Sequence, residues 1–86
     1  MVHEAYGIAQ RAIADLKMAI VMILTTTPGG SMSNADIGRR LGIYAGHKGH
    51  AGHVPRTLLA MLEAEGVVAQ DAESKEWRLR DRHLSG

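Results

Sequence analysis

The sequence predicts a mainly α-helical domain of three helices that closes with a small β-hairpin. Three observations lead to this fold class: an apolar stripe at helical spacing near the start, two further helices with recognisable ends, and an inward–outward alternation around Trp77. At 86 residues the chain is long enough for one domain and too short for two. We therefore expect a single domain over 1–86.

The first helix is expected over about 3–26. Apolar residues at spacings of three, four and one give it a single stripe, formed by Ile13, Leu16, Ile20, Ile23 and Leu24. The helix is apolar around most of its circumference near its end, so Met18, Val21 and Met22 need a second partner. Two explanations are open. Either the domain covers both faces of the helix itself, or these three residues form an interface with a second subunit or a host domain.

The second and third helices are expected within about 33–65, and the second helix over 34–41. Ser33 should cap the amide of Asp36, whose carboxylate can reach back to complete a capping box. Gly42 then ends the helix with a left-handed C-cap. The residues of this helix that should be buried are Ala35, Ile37 and Leu41.

The third helix is expected over 54–65, with Pro55 in its first turn and Gly66 after its end. Its buried stripe should consist of Leu58, Leu59 and Leu62. A hairpin over 66–80 follows, with a polar and flexible connection at 71–75. The inward residues of its second strand are Trp77 and Leu79, and the outward ones are Arg78 and Arg80. The polar tail 81–86 leaves open a continuation into another domain.

Positive charge is concentrated in the middle of the chain, although the net charge is only +1. Segment 34–62 has four basic side chains against one acidic side chain, and it also holds His47, His50 and His53. Segment 63–76 has five acidic side chains against one basic side chain. A local excess of positive charge favours a polyanionic partner.

The composition excludes several classes of protein. Cysteine is absent, which excludes disulfides and thiol catalysis and fits a reducing compartment. No apolar run approaches the roughly 20 residues of a membrane span, and the start does not have the pattern of a secretory signal. Neither a glycine-rich phosphate motif nor a strained serine elbow is present. We expect a cytoplasmic protein that is not an enzyme and has no cofactor.

The order helix, short strand, helix, loop, helix and hairpin resembles the winged-helix (winged helix-turn-helix) family of DNA-binding domains. The resemblance covers roughly 16–80, and its most telling parts are SNADIGRRL at 33–41, VPRTLLAMLEAEGVV at 54–68 and Trp-Arg-Leu at 77–79. It implies that the third helix enters the major groove and that the hairpin is the wing. One departure is the loop before the third helix, which is much longer than the usual tight turn.

The residues expected to reach base edges lie outward at the start of the third helix, and they are His53, Arg56, Thr57 and Ala60. The free backbone amides of the same helix end favour phosphate. Further candidates for phosphate contacts are Arg39, Arg40, His47, Lys48, His50, Lys75 and Arg78. We also consider Arg39 and Arg40 as a merely solvated helix face. Arg78 and Arg80 could instead pair with Glu73 and Glu76 across the hairpin, which we favour for Arg80.

The loop at 43–53 carries three histidines and three glycines and allows three interpretations. The favoured one is a basic loop that lies against phosphates, in which case affinity for DNA should rise as pH falls through about 6.5. The second is a structural loop whose imidazoles bond to backbone. The third is zinc binding by His47, His50 and His53, which we disfavour because no cysteine or nearby carboxylate completes the ligand set.

The function that these residues predict is binding of double-stranded DNA through recognition helix 54–65, loop 43–53 and the wing. The domain would be a transcriptional regulator or the recognition module of a DNA-processing enzyme. The alternative is a winged-helix protein-interaction module that uses the apolar surface of the first helix. RNA is a weaker third choice, because no exposed aromatics are arranged for base stacking. Dimerisation through Met18, Val21 and Met22 would predict a palindromic DNA site.

Overall fold

The computed structural model describes residues 2–44 and 52–80, and within these ranges it contains three helices and three short strands. In chain order they are α1 (Val2–Thr26), β1 (Ser31–Met32), α2 (Asn34–Leu41), α3 (His53–Ala64), β2 (Val68–Gln70) and β3 (Trp77–Leu79). A mainly helical fold with a small antiparallel sheet is thus confirmed. The positions of the helices and of the hairpin strands lie within about one residue of those predicted, as is usual for element ends.

The three strands form one antiparallel sheet in the order β1-β3-β2. The middle strand pairs with β2 through Val68 and Leu79, and with β1 through Met32 and Trp77. The hairpin was predictable from its alternation, but the short strand expected between the first two helices, which lies at 31–32, had no predicted partner. This pairing ties the chain between α1 and α2 to the hairpin that follows α3.

Within the described ranges, helix α1 packs on the core of the domain from Ile13 onward. Ile20 and Leu24 are buried, and the other stripe residues, Ile13, Leu16 and Ile23, are partly buried against the same core. From His3 to Ala12 every residue except Gly7 is exposed. Neither α1 nor another helix among the described residues is long and apolar enough to cross a membrane.

The core lies where α1, α2, α3 and the inner face of the sheet meet. Its buried side chains are Ile20, Leu24, Met32, Ile37, Leu58, Leu59, Leu62, Val68 and Trp77. The predicted stripe of α3 is therefore confirmed, and Trp77, only 6% exposed, is a core residue rather than a stacking platform. Lys17 on α1 forms an ion pair with Glu65, just after α3, which joins the two helices at the edge of this core.

The ends of α2 agree with the sequence in part. Ser33 Oγ accepts a hydrogen bond from the backbone N–H of Asp36 (3.1 Å), and Gly42 is left-handed with a φ of 74°. The expected return contact of a capping box is wrong, because the Asp36 carboxylate accepts from Arg39 Nη1 at 3.2 Å instead. Ile37 is buried as predicted, but Ala35 and Leu41 are only half-buried.

The contact between α2 and α3 depends on Gly38, which is buried. A Cβ atom at this position would lie 2.9 Å from Cγ of Pro55 and 2.9 Å from Cβ of Tyr44. These distances are shorter than van der Waals contact, so only glycine lets the first turn of α3 and the Tyr44 side chain come this close. No pattern in the sequence indicated this contact.

Candidate nucleic-acid interface

The four residues predicted to reach base edges share one exposed face of α3. His53, Arg56, Thr57 and Ala60 follow one another at spacings of three, one and three, and all are exposed. The opposite face, with Leu58, Leu59 and Leu62, is buried. The Arg56 side chain has no hydrogen bond or ion pair with another described residue, whereas Thr57 Oγ1 donates to the carbonyl of His53 at 3.0 Å. The Thr57 hydroxyl is thus left mainly as an acceptor.

The amino end of α3 has no side-chain cap from the described residues. Its N-cap residue is Gly52, with a φ of 84°, and the first helical bond runs from the N–H of Arg56 to the Gly52 carbonyl. Pro55 has no N–H, and the amides of His53 and Val54 have no acceptor in the described part of the chain. Helix ends of this kind carry a partial positive charge and can donate to an anion.

Three residues outside α3 hold this helix end in position, and we call Asn34, Gly38 and Tyr44 the seat of α3. The Tyr44 ring lies so close to Gly52 that a Cβ there would be 2.7 Å from Tyr44 Cε1. Asn34, the first residue of α2, donates from Nδ2 to the Gly52 carbonyl at 3.2 Å. Gly38 gives both Tyr44 and Pro55 the space to approach α2. Sequence reasoning missed the seat, and the one signal that could have been followed was Gly52, two residues before the start of the predicted helix.

Arg39 and Arg40 lie on the exposed side of α2, but they have different surroundings. The Arg39 guanidinium is 4.7 Å from the centre of the Tyr44 ring and pairs with Asp36, so it stands beside the amino end of α3. The Arg40 side chain has no partner among the described residues, although both arginines line one shallow concavity together with Met32 and Asp36. Arg39 is therefore the basic residue of α2 that is joined through Tyr44 to the exposed end of α3.

The hairpin residues lie elsewhere. Arg78 is exposed on the outer face of β3 and lines a concavity with Arg80 and the end of α1, at Leu24 and Thr25. Within the described ranges, that concavity contains no residue of α2 or α3. Lys75 is exposed in the turn before β3, with a φ of 67°. The described contacts therefore do not bring Lys75 or Arg78 together with the face of α3.

The pairing predicted for Arg80 is wrong among the described residues. Arg80 makes no ion pair there, and neither does Arg78. Glu76 is half-buried and accepts a hydrogen bond from Ser31 Oγ at 2.8 Å, which links β1 to the start of β3. The carboxylate that was expected to neutralise an arginine thus holds the sheet together instead.

Hydrogen bonds within the turn between β2 and β3 fix its backbone, although the sequence predicted a flexible connection there. Asp71 Oδ2 accepts from the backbone N–H groups of Ser74 (2.7 Å) and Glu73 (3.0 Å). The carbonyl of Asp71 accepts from Lys75 N–H at 2.9 Å. The hydrogen bond from Ser74 N–H is the largest of several that lower the pKa of the Asp71 carboxyl.

We expect Asp71→Asn to remove a pH-dependent part of the stability. A carboxyl whose folded-state pKa is lowered stabilises the fold above its unfolded pKa, about 3.9, and loses that contribution as pH falls through the folded value. The difference in Tm between wild type and variant should be largest near neutral pH and should shrink below about pH 4. Glu73→Gln is the matched control, since the Glu73 carboxylate accepts no hydrogen bond from the described residues. A difference that stays constant across the titration would contradict this role.

The remaining residues singled out in the sequence divide into two groups. His47, Lys48 and His50 lie outside the described residues, so the zinc hypothesis that used His47 and His50 falls outside them too. The described residues contain no cluster of three possible metal ligands.

On α1, Met18 is 59% exposed and Met22 61% exposed, and Val21 is half-buried. Among the described residues, no part of the domain therefore covers Met18 and Met22, and the interface explanation for these residues stays a prediction.

Comparison with known proteins adds no relative. No protein-family model, curated protein or solved structure matches this chain.

Proposed function

We propose that the chain is a winged-helix domain that binds double-stranded DNA with the outward face of α3 and has no catalytic activity of its own. One observation carries the proposal: the outward face of α3 presents the Arg56 side chain, which no described residue pairs with, and Arg39 lies over the Tyr44 ring that packs against Gly52 at the start of the same helix. An α-helix fits the major groove, where an arginine can donate two hydrogen bonds to guanine. Phosphates on either side would meet the free amides of the helix end.

The order of the elements supports the same assignment. Three helices, a short strand after the first helix and a final hairpin are the parts that the resemblance to winged helices implies. The sheet order β1-β3-β2 agrees with it, since the short strand joins the hairpin at its middle strand. In this proposal the domain is a cytoplasmic regulator or the recognition module of a DNA-processing enzyme.

The distribution of charge along α3 limits how the helix can approach DNA. The acidic residues Glu63 and Glu65 lie at its carboxyl end, and a helix of 12 residues is about 18 Å long. Glu65 is also held by Lys17. We therefore infer that the amino end enters the groove while the acidic end stays away from the phosphates.

Fluorescence anisotropy with a labelled random duplex tests the proposal. We expect binding at about 50 mM salt that weakens by roughly a hundred-fold at about 200 mM, as four phosphate contacts predict from counterion release. Arg56→Ala and the double variant Arg39→Ala/Arg40→Ala should both bind more weakly. The double variant should also have a shallower salt dependence, because it loses phosphate contacts.

Arg80→Ala is the matched control, since it removes one exposed arginine that lies with the end of α1 rather than with α3. Its affinity should stay close to that of wild type. Equal losses in Arg56→Ala and Arg80→Ala would mean that only net charge matters and would contradict a role for α3. Absence of binding at low salt would contradict DNA binding altogether.

The second candidate function is a protein-interaction module, favoured by the exposure of Met18 and Met22 on α1. Association through such a surface buries apolar area and does not release the counterions that phosphate contacts release. An affinity for DNA that falls steeply with salt therefore separates the two functions.

A further inference from the structure

The outer face of α1 carries a regular seam that no described part of the domain covers. Its residues follow one another at the heptad spacings of four, three, four, three and four. Three of them are apolar, Ile8, Met18 and Met22, and three are charged, Glu4, Arg11 and Asp15. Ile8 and Met22 are 61% exposed and Met18 is 59% exposed. This seam lies on the side of the helix opposite the buried residues Ile20 and Leu24.

We propose that two copies of this chain pair through the seam as an antiparallel two-stranded coiled coil. The two-fold axis lies level with residue 13, so residues whose numbers add up to 26 face one another. Ile8 then packs against Met18 of the second copy, and Arg11 faces Asp15. Because the axis is two-fold, each of these contacts occurs twice.

Charge complementarity favours this arrangement over the others. Arg11 and Asp15 are exposed, and neither forms an ion pair with another described residue. In the antiparallel register proposed here, each carboxylate meets a guanidinium of the second copy. A parallel pair would place Arg11 against Arg11 and Asp15 against Asp15, which is unfavourable. An antiparallel shift by one heptad would place both Arg11 and Asp15 against methionines, or would place Glu4 against Asp15 and Arg11 against Ile8. The proposed register places only Glu4 against a methionine, Met22, near the ends of the pair.

The residues beside the seam are small, which lets two helices approach closely. On one side they are Ala5, Ala12 and Ala19, and on the other Gly7, Ala14 and Val21. A Cβ atom added at Gly7 would meet no atom of the described residues within 4 Å. Val21, which the sequence placed in the interface itself, lies at the flank and is half-buried.

The pairing leaves the rest of the domain free, because the seam faces away from the core on which α2 and α3 pack. It also gives the exposed first half of α1 a partner. The proposal does not rest on DNA binding, and it is tested by the state of association alone.

Charge reversal tests whether Arg11 of one copy pairs with Asp15 of the other. Analytical ultracentrifugation measures the dissociation constant of the dimer for each variant. Arg11→Asp and Asp15→Arg each place like charges opposite one another twice, and each should raise the dissociation constant of the dimer at least about tenfold. The double variant Arg11→Asp/Asp15→Arg restores opposite charges and should return to within about threefold of wild type. Arg56→Asp on α3 is the control and should leave the dissociation constant unchanged.

Disulfide trapping tests the register, because the chain has no cysteine of its own. Ile8→Cys/Met18→Cys in one chain should give a covalent dimer under mild oxidation. Each single variant should not, since equivalent positions lie about 15 Å apart along the pair and a disulfide needs Cα atoms within about 7 Å. Far-ultraviolet circular dichroism of all variants checks folding, which substitutions on an exposed face should not disturb.

A monomeric wild type at the highest concentration that sedimentation allows would overturn the proposal. Covalent dimers from the single cysteine variants would overturn the antiparallel register, and failure of the double charge reversal to restore association would overturn the facing of Arg11 and Asp15. A chain that dimerises without binding DNA would support this proposal and contradict the proposed function. A monomeric chain that binds DNA would do the opposite.

Discussion

Gly38→Ala should destabilise the domain by about 1–3 kcal/mol, against the usual trend for such a change in a helix. In an open helix, alanine is better than glycine by roughly 0.8–1 kcal/mol. At this position, however, the new methyl group would come within 2.9 Å of the Pro55 ring and of Tyr44 Cβ. Neither atom is the end of a flexible side chain, so α3 or the backbone at Tyr44 has to move.

Gly7→Ala is the matched control for this prediction, because it makes the same chemical change in α1 where no described atom lies within 4 Å. It should be neutral or stabilising. Urea unfolding followed by circular dichroism gives both free energies of unfolding. If both variants gained stability, the close contact at Gly38 would not constrain the fold. The Gly38 variant should also bind DNA more weakly, since the amino end of α3 rests on this contact.

Leu59→Ala should lower the free energy of unfolding by about 2–5 kcal/mol, the largest effect that we predict for a single side chain. Leu59 is fully buried at the centre of the core. Domains of this kind have a total stability of about 5–15 kcal/mol, so the variant should be partly unfolded near physiological temperature. A fall in Tm of many degrees and a shift of the urea midpoint would measure the loss.

Met61→Ala is the control for Leu59→Ala, because Met61 lies two residues further along the same helix and is 36% exposed. Its truncation should cost well under half as much, since less apolar area returns to water. Equal losses would mean that α3 is stabilised by its helical propensity rather than by its buried face.

The parts of the fold that depend on local patterns were predictable from the sequence. The stripe through Ile20 and Leu24, the Ser33 cap and the left-handed Gly42 each follow from a spacing or a residue type within a few positions. Helical spacing, N-caps and C-caps depend only on residues within a few positions of one another along the chain. They are therefore readable without knowledge of the tertiary structure.

The features that the sequence did not predict are contacts between distant positions. Tyr44 holds the start of α3 by touching two glycines, and no periodicity marks such a contact. Glu76 bonds to Ser31, which is 45 positions away, although a cross-hairpin arginine was the nearer choice. The helical pattern of α1 indicated the length of the helix, but it did not indicate that, among the described residues, the helix packs on the core only from Ile13 onward.

For the candidate site, the sequence indicated an exposed face correctly but not its supports. His53, Arg56, Thr57 and Ala60 are all exposed on one side of α3, as their spacing predicted. Their position relative to α2 depends on the seat of α3, whose residues carry no recognisable motif. The basic residues of the hairpin were assigned by charge alone, and charge does not tell where a residue lies in space.

The seat of α3 has a consequence for how related sequences can diverge. Position 38 can accept a larger residue only if both neighbours of the added Cβ, at 44 and 55, become smaller or move at the same time. Changes at these three positions should therefore appear together rather than singly, because each intermediate is either overpacked or leaves a cavity. Position 52 does not have this freedom, since its φ of 84° disfavours a side chain even where space is made for one. In a family of such chains, 52 should thus stay glycine while 38, 44 and 55 change as a group.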